Sequence, residues 1–281
     1  MKNTVELKVY VEGPLQEFLI AELGDLDFDV FEQDDGFVRA FIPSPRWDGV
    51  KREQIELWLR SHGLAVPVEE CVHPPQNWNR RWEETIQPLR VGPFLVKPTW
   101  ADLPAGHEGA ILLEIDPKMS FGTGYHESTR LALQFLPALV RGGERVLDAG
   151  TGTGILAIAA LKLGAQTAVA FDVDPWAQQN AVENFYLNGV SERATFVAGA
   201  IEAVAEDGFD LLLANINRNV LLGVMPHLAL KAAPGARIVL AGLLTTDRER
   251  MLEAAATHGL APVREGDEGA WWAVVLAEGA A

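Results

Sequence analysis

The sequence predicts an α/β protein with a mostly parallel seven-stranded sheet, preceded by a smaller ferredoxin-like α+β domain. Three observations predict this. From residue 126 onward, helix and strand patterns alternate steadily, as in a parallel sheet covered on both faces. The first 75 residues give the order β-α-β-β-α-β. The length of 281 residues suits about two domains.

The first domain is predicted over residues 1–75. It carries 15 acidic and 7 basic residues, a balance of −8, whereas an RNA-binding domain is expected to be basic. We therefore expect it to recognise a protein substrate. Its predicted elements are a strand at 5–11, a helix at 15–23, strands at 28–33 and 37–42 joined by the turn Asp34-Asp35-Gly36, a helix at 47–61 and a strand at 66–73.

A linker is predicted over residues 76–105, after Pro74-Pro75 ends the last strand. It is expected to hold a short helix with Asn77 as N-cap and with Trp78 and Trp82 on one face. We expect the two tryptophans to pin the linker to the larger domain rather than to contact a substrate. Short strands are predicted at 94–97 and 111–115.

The larger domain is predicted over residues 106–281. Its helices and strands follow from apolar spacing and from the glycines and prolines between them. Strands are predicted at 145–149, 167–173, 194–198, 209–214, 236–241 and within 271–277, and helices at 126–140, 154–163, 175–188, 218–232 and 246–258.

Composition excludes several classes of protein. The net charge of −16, without a cluster of Lys and Arg, argues against nucleic-acid binding and favours a basic partner, although such a charge also fits an acidic protein with no special partner. Cys71 is the only cysteine, so an intrachain disulfide and a cysteine-rich zinc site are excluded, and no metal is predicted. No apolar run approaches the length of a membrane span, and the N-terminus lacks the apolar core of a signal peptide. We therefore expect a cytoplasmic protein that does not bind a membrane. We also expect a monomer.

A glycine loop follows the strand at 145–149. Asp148 is followed by Gly150, Gly152 and Gly154. The dinucleotide fingerprint needs its third glycine at the position of Ile155, so a nicotinamide or flavin site is disfavoured. Strand-Asp-x-Gly-x-Gly-x-Gly is instead typical of class I, Rossmann-like, S-adenosylmethionine-dependent methyltransferases, although glycine loops also form purely structural turns. We expect Gly150 and Gly152 to lie against the cofactor.

Two further strands end in polar residues that suit such a cofactor. Asp172 follows the glycine loop by about 20 residues, which is the spacing of a ribose ligand, whereas Asp174 before Pro175 suits a helix N-cap. Asn215 ends the strand at 209–214, where ligands of open α/β sheets bind. Its carbonyl can accept a hydrogen bond from a neutral amine and orient it for reaction. The alternative for all three residues is a turn or cap.

The segment 119–129 precedes a predicted helix, whose N-terminal amides would bind the carboxylate of S-adenosylmethionine. We expect cofactor contacts from Phe121, Gly122 and Thr123, and from Thr129 in the first helical turn. His126 is predicted to cap or pack rather than to act as a general base.

These residues resemble the bacterial PrmA family, which methylates ribosomal protein L11 of the large subunit. The resemblance covers the linker and most of the larger domain. It implies cofactor contacts at Thr129, Gly150, Asp172 and Asn215. The matching segments are Asn77-Trp78-x-x-x-Trp82, Asp116-Pro117-x-Met119-x-Phe121-Gly122-Thr123-Gly124-x-His126-x-Ser128-Thr129, Val146 to Ala159, Asp172 to Pro175 and Ala214-Asn215-Ile216.

The resemblance also implies an activity. It implies repeated methylation of lysine ε-amines and of an N-terminal α-amine, with S-adenosylhomocysteine as the product and the small domain gripping the substrate. The chain departs from the family at 126–129, where it reads His-Glu-Ser-Thr, and at Asn217 and Arg218. The alternatives are an RNA or small-molecule methyltransferase of the same fold, and a non-catalytic cofactor-binding protein.

Overall fold

The computed structural model describes residues 3–73, 86–118 and 120–279. The chain divides into two compact units, an N-terminal unit (Met1–Trp78) and a C-terminal unit (Asn79–Ala281). The helix predicted around Trp78 and Trp82 lies outside the described residues. None of the helices in the described ranges is long and apolar enough to cross a membrane.

The N-terminal unit contains one four-stranded antiparallel sheet, in the order β2-β3-β1-β4, and two helices. Its elements follow one another in the predicted order β-α-β-β-α-β. They are β1 (Thr4–Val9), α1 (Leu15–Asp25), β2 (Val30–Asp34), β3 (Phe37–Pro43), α2 (Gly49–Ser61) and β4 (Val68–His73).

Burial alternates along β1 and β3, because one face of the sheet meets the helices and the other meets solvent. Leu7 and Ile42 are buried on the helix side together with Leu19 and Ile55 of the two helices. The other face carries charged and aromatic side chains. There the ammonium of Lys8 lies 4.2 Å from the ring centre of Phe37.

The C-terminal unit begins with a small three-stranded sheet and continues as a doubly covered α/β fold. The small sheet has the order β5-β6-β7, with β6 and β7 parallel. Its strands are β5 (Leu89–Val91), β6 (Phe94–Lys97) and β7 (Ile111–Glu114), so the segment predicted as linker contributes two strands to this unit.

The large sheet has seven strands in the order β10-β9-β8-β11-β12-β14-β13, and all run parallel except β14. The predicted mostly parallel seven-stranded sheet is thus confirmed. Its elements are α3 (Glu127–Leu139), β8 (Arg145–Ala149), α4 (Ile155–Leu163), β9 (Thr167–Asp172), α5 (Pro175–Leu187), β10 (Ala194–Ala198), β11 (Phe209–Asn215), α6 (Arg218–Lys231), β12 (Ala232–Leu244), α7 (Arg248–Ala256), β13 (Leu260–Glu268) and β14 (Trp271–Glu278).

The prediction located six of these strands and missed the position of β13. That strand lies at the edge of the sheet, contains Pro262 and is mostly exposed, so it has neither a continuous apolar run nor clear alternation. The central strands β8 and β11, by contrast, are buried along almost their whole length. They lie side by side where the strand order reverses, which is where open α/β sheets form a ligand crevice.

Candidate active site

A cavity of about 490 Å³ opens at the carboxyl ends of β8, β9 and β11. Gly150, Asp172 and Asn215, one from each strand end, all line it. Its volume falls within the range of small-molecule sites, and its lining is mostly apolar. The apolar part of the wall includes Phe171, Ile201, Ile216, Val220, Val224 and Trp271.

The glycine loop is packed closely against other parts of the protein. Gly150 and Gly152 have φ angles of 66° and 55°, which L residues rarely adopt. A Cβ atom at Gly150 would collide with the side chain of Ile216, and one at Gly152 with the carbonyl oxygen of Phe121. Both glycines line the cavity. Glycine is needed at these two positions because neighbouring protein atoms lie too close for a side chain. The sequence had left open both a ligand and a purely structural turn as reasons for these glycines.

Thr153 holds the segment 120–126 against this loop. Its amide donates a hydrogen bond to the carbonyl of Phe121 at 2.9 Å, and its hydroxyl donates to the carbonyl of Gly122 at 2.5 Å. Thr153 is fully buried. The sequence reasoning missed this residue, although a threonine between two loop glycines was a visible signal.

Asp148, at the end of β8, connects the glycine loop to the helix that follows it. Its carboxylate is buried and accepts hydrogen bonds from the Thr151 hydroxyl at 2.6 Å and from the Ala157 amide at 3.2 Å. Burial raises the pKa of Asp148 to about 6, and the neighbouring charge of Asp172 adds to this effect, against the two hydrogen bonds. Asp148 does not line the cavity.

Asp172 and Asp174 have different surroundings. Asp172 lines the cavity and accepts hydrogen bonds from the amides of Gly152 at 2.9 Å and Asp174 at 3.0 Å, one on each oxygen. Each oxygen keeps a further lone pair for a hydroxyl donor. Asp174 is the N-cap of α5, as predicted, because its side chain accepts from the Trp176 amide at 2.9 Å.

Asn215 has a fixed orientation. Its side-chain nitrogen donates to the hydroxyl oxygen of Thr129 at 3.0 Å, and both residues are buried. Its side-chain oxygen has no hydrogen-bond partner in the described part of the chain. Thr129 does not line the cavity. The structure therefore places Thr129 behind Asn215, where it leaves the acceptor oxygen of the amide available.

The segment 120–126 contributes to the site unevenly. Phe121 lines the cavity and is 57% exposed, whereas Gly122 and Thr123 lie outside the lining. His126 is the N-cap of α3, since its Nδ1 accepts from the Ser128 amide at 3.2 Å. Its ring packs against Phe121 and Trp271, with centroids 5.3 and 4.3 Å away. The predicted capping and packing role of His126 is confirmed. His126 thereby binds the Ser128 amide, one of the helix N-terminal amides that were expected to bind the carboxylate of the cofactor.

Known proteins share this architecture. The PrmA family, described as ribosomal protein L11 methyltransferase, matches residues 47–278. A Thermus thermophilus protein named ribosomal protein L11 methyltransferase is 41% identical over 247 residues, 87% of each chain. One of the same name from Chlorobaculum tepidum is 38% identical over 251 residues, which are 87% of this chain and 86% of that one.

This chain belongs to the PrmA family. A crystal structure of the ribosomal protein L11 methylase from Lactobacillus delbrueckii subsp. bulgaricus is also similar, with a TM-score of 0.65 and 26% identity, covering 69% of this chain and all of that one. The larger domain is therefore a class I methyltransferase domain that uses S-adenosylmethionine, as predicted.

The two residues that follow Ile216 have structural partners. Asn217 is the N-cap of α6, and its side-chain oxygen accepts from the Val220 amide at 3.1 Å. Arg218 pairs with the buried carboxylate of Asp247 at 2.8 Å. These contacts fasten the chain just after Asn215.

Sequence reasoning also missed Ile201 and Trp271 in the cavity wall. Ile201 follows β10, and the rule that ligands lie beyond strand ends pointed to that loop. Trp271 begins β14, which is distant in sequence from the other strand ends and carries no local signal. No group of three His, Cys, Asp or Glu side chains suited to a metal ion occurs among the described residues.

Proposed function

We propose that this PrmA-family enzyme methylates lysine ε-amino groups and the N-terminal α-amino group of ribosomal protein L11. The observation that carries the proposal is the unpaired acceptor oxygen of Asn215 in an apolar cavity, beside Gly150, Gly152 and Asp172. A fixed acceptor of this kind suits a neutral amine, which has N–H donors and a lone pair that must be aimed.

The cavity fits S-adenosylmethionine in its chemistry. Asp172 can accept from the ribose hydroxyls, because each carboxylate oxygen uses only one lone pair on a backbone amide. Gly150, Gly152 and Phe121 line the same cavity, so they are proposed cofactor contacts. Gly122, Thr123 and Thr129 lie outside the lining. Gly122 and Thr129 would act on the cofactor indirectly, because Thr153 binds the Gly122 carbonyl beside Phe121 and Thr129 orients Asn215.

When bound, the cofactor supplies a sulfonium methyl group that is already activated for transfer. The protein must then deliver the amine in its neutral form. A lysine has an unperturbed pKa of about 10.4, and apolar surroundings disfavour its charged form. The walls formed by Phe171, Ile216 and Val220 provide such surroundings. Asn215 would accept one N–H and so direct the lone pair of the amine.

The proposed partner is a basic ribosomal protein. The net charge of −16 suits it. The N-terminal unit, with its partly exposed sheet face and its balance of −8, is the proposed docking module. We expect no direct contact with nucleic acid or membrane, and a monomer in the cytoplasm, where ribosomal proteins are made.

Replacing Asn215 by alanine tests the proposal. We expect methyl transfer to ribosomal protein L11 to fall by about a hundredfold or more, because the amine loses its orienting acceptor. The measurement is incorporation of labelled methyl groups from S-adenosylmethionine into purified L11, with ribosomal RNA assayed in parallel. Thermal unfolding of the variant checks that the fold survives.

Asn219→Ala is the matched control. Asn219 lies four residues further along, is exposed and does not line the cavity, so its variant should keep wild-type activity. Full activity of Asn215→Ala would remove Asn215 from the mechanism. Methylation of RNA instead of L11 by the wild-type protein would overturn the proposed substrate, and cofactor binding without any transfer would indicate a non-catalytic protein.

A further inference from the structure

Three asparagines lie on one face of α5 and its C-terminal end, at a spacing of four residues. They are Asn180, Asn184 and Asn188, and their exposures are 1%, 0% and 9%. Buried amides are unfavourable unless their hydrogen-bonding groups find partners. All three side chains bond to backbone groups of a strand edge, and Asn188 also donates to the Asn184 carbonyl at 2.8 Å. The side-chain oxygen of Asn180 has no partner among the described residues.

The amides form a ladder along the segment that ends β7. Asn188 accepts from the Glu114 amide at 3.0 Å and donates to the Glu114 carbonyl at 2.6 Å. Asn184 makes the same pair of bonds to Asp116, at 3.0 and 3.3 Å. Asn180 donates to the Asp116 carbonyl at 2.7 Å. The spacing matches, because four helical residues rise about 6 Å and two strand residues about 6.6 Å.

The ladder occupies the edge of β7 that faces away from β6. The Ile115 amide bonds to the Lys97 carbonyl on the β6 side, so the backbone groups of residues 114 and 116 point the other way. An unpaired strand edge leaves polar groups unsatisfied when buried. Here the asparagine side chains make the hydrogen bonds that a neighbouring strand would otherwise make.

Asn184 has one bond that its neighbours lack. Its side-chain nitrogen also donates to the carbonyl of Thr153 at 2.9 Å. The amide and hydroxyl of Thr153 in turn hold the carbonyls of Phe121 and Gly122. One buried side chain therefore joins the strand edge, the glycine loop and the segment that lines the cavity.

We propose that Asn184 is a positioning residue for methyl transfer. It fixes the Thr153 peptide, and through it the backbone of Phe121 at the wall of the cavity. This inference rests on the proposed function of the cavity. Asn188 makes the same pair of bonds to the strand edge but has no bond to the glycine loop. A comparison of variants at the two positions therefore distinguishes support of the strand edge from positioning of the site.

The test compares Asn184→Ala with Asn188→Ala in the full-length protein. Both should lower the melting temperature. Only Asn184→Ala should weaken binding of S-adenosylhomocysteine, by about tenfold, since a buried carbonyl next to the site loses its donor. Calorimetry measures that affinity. Hydrogen exchange of residues 120–126 gives an independent readout and should accelerate only in Asn184→Ala. In Asn188→Ala, we expect an affinity within about twofold of wild type.

If the two variants have the same affinity for S-adenosylhomocysteine and the same hydrogen exchange of residues 120–126, the inference is overturned. Asn184 would then only support the strand edge. If Asn184→Ala does not fold, Asn184→Asp decides, because it keeps the acceptor for the Asp116 amide and removes the donor to the carbonyls of Thr153 and Asp116. Wild-type binding in that variant would equally overturn the inference. A wild-type protein that binds the cofactor but methylates no amine would contradict the proposed function and leave the binding comparison valid.

Discussion

The two sheets of this protein are covered differently. In the N-terminal unit, β1 and β3 alternate between buried and partly exposed residues, and one face of the sheet stays open. In the C-terminal unit, β8 and β11 are buried along almost their whole length. A sheet with an open face can meet a partner across its surface. A sheet with both faces covered exposes only its strand ends, so a small-molecule site is confined to the loops there.

One carboxyl group from each unit shows a similar contrast. In the N-terminal unit, the side-chain hydrogen bond from Lys51 holds the pKa of the exposed Asp27 carboxyl below its usual range. In the C-terminal unit, burial raises the pKa of Asp148. The exposed carboxyl is thus kept charged by its partner, whereas burial favours the neutral form of the other.

Removing residues 1–75 should have the largest effect. If the N-terminal unit docks the protein substrate, its loss removes the benefit of a tethered second contact, which is about 10²–10⁴-fold in effective affinity. We therefore expect methylation of ribosomal protein L11 to fall below detection at low substrate concentration. Binding of S-adenosylhomocysteine should be retained and verifies that the shortened protein is folded. Unchanged kcat/KM for L11 would show that docking lies elsewhere.

The same substitution at two glycines compares the units directly. Gly36 has a φ of 86° in an open hairpin turn, and no atom lies within 4 Å of the position that an added methyl group would take. Gly36→Ala should therefore cost about 1–2 kcal/mol of backbone strain. Gly152→Ala adds a collision with the Phe121 carbonyl and should cost about 2–5 kcal/mol. Urea unfolding measures both. Equal losses of unfolding free energy in the two variants would mean that the segment 120–126 moves away from the added methyl group without cost.

The last prediction concerns pH. The folded-state pKa of Asp148, about 6, is higher than its ordinary value of 3.8, so the folded protein holds a proton that the unfolded chain releases between these values. Stability contributed by this group is present below pH 3.8 and is lost as the pH rises to 6, by about 3 kcal/mol at most. Asp148→Asn should remove this dependence. Parallel unfolding curves from about pH 4 to 6 for variant and wild type would contradict it.

The local patterns that predicted this fold were strong where burial was continuous or strictly alternating. The apolar runs of β8 and β11 and the alternation of β1 were enough to identify these strands. The strand β13 was missed because an edge strand with Pro262 and mostly exposed residues has neither pattern. The family resemblance named Gly150, Asp172 and Asn215, which line the cavity, and Thr129, which does not.

The sequence by itself determined the order of helices and strands, the glycine loop after Asp148, the cap at Asp174 and the presence of Asn215 at a strand end. These depend on residues that are near one another along the chain. Only the tertiary structure decided that Thr129 orients Asn215, that Thr153 docks the segment 120–126, and that Asn184 bonds Thr153 and Asp116 together. Each of these bonds joins residues 31 to 86 positions apart, and their distances and directions follow from packing rather than from spacing in the chain.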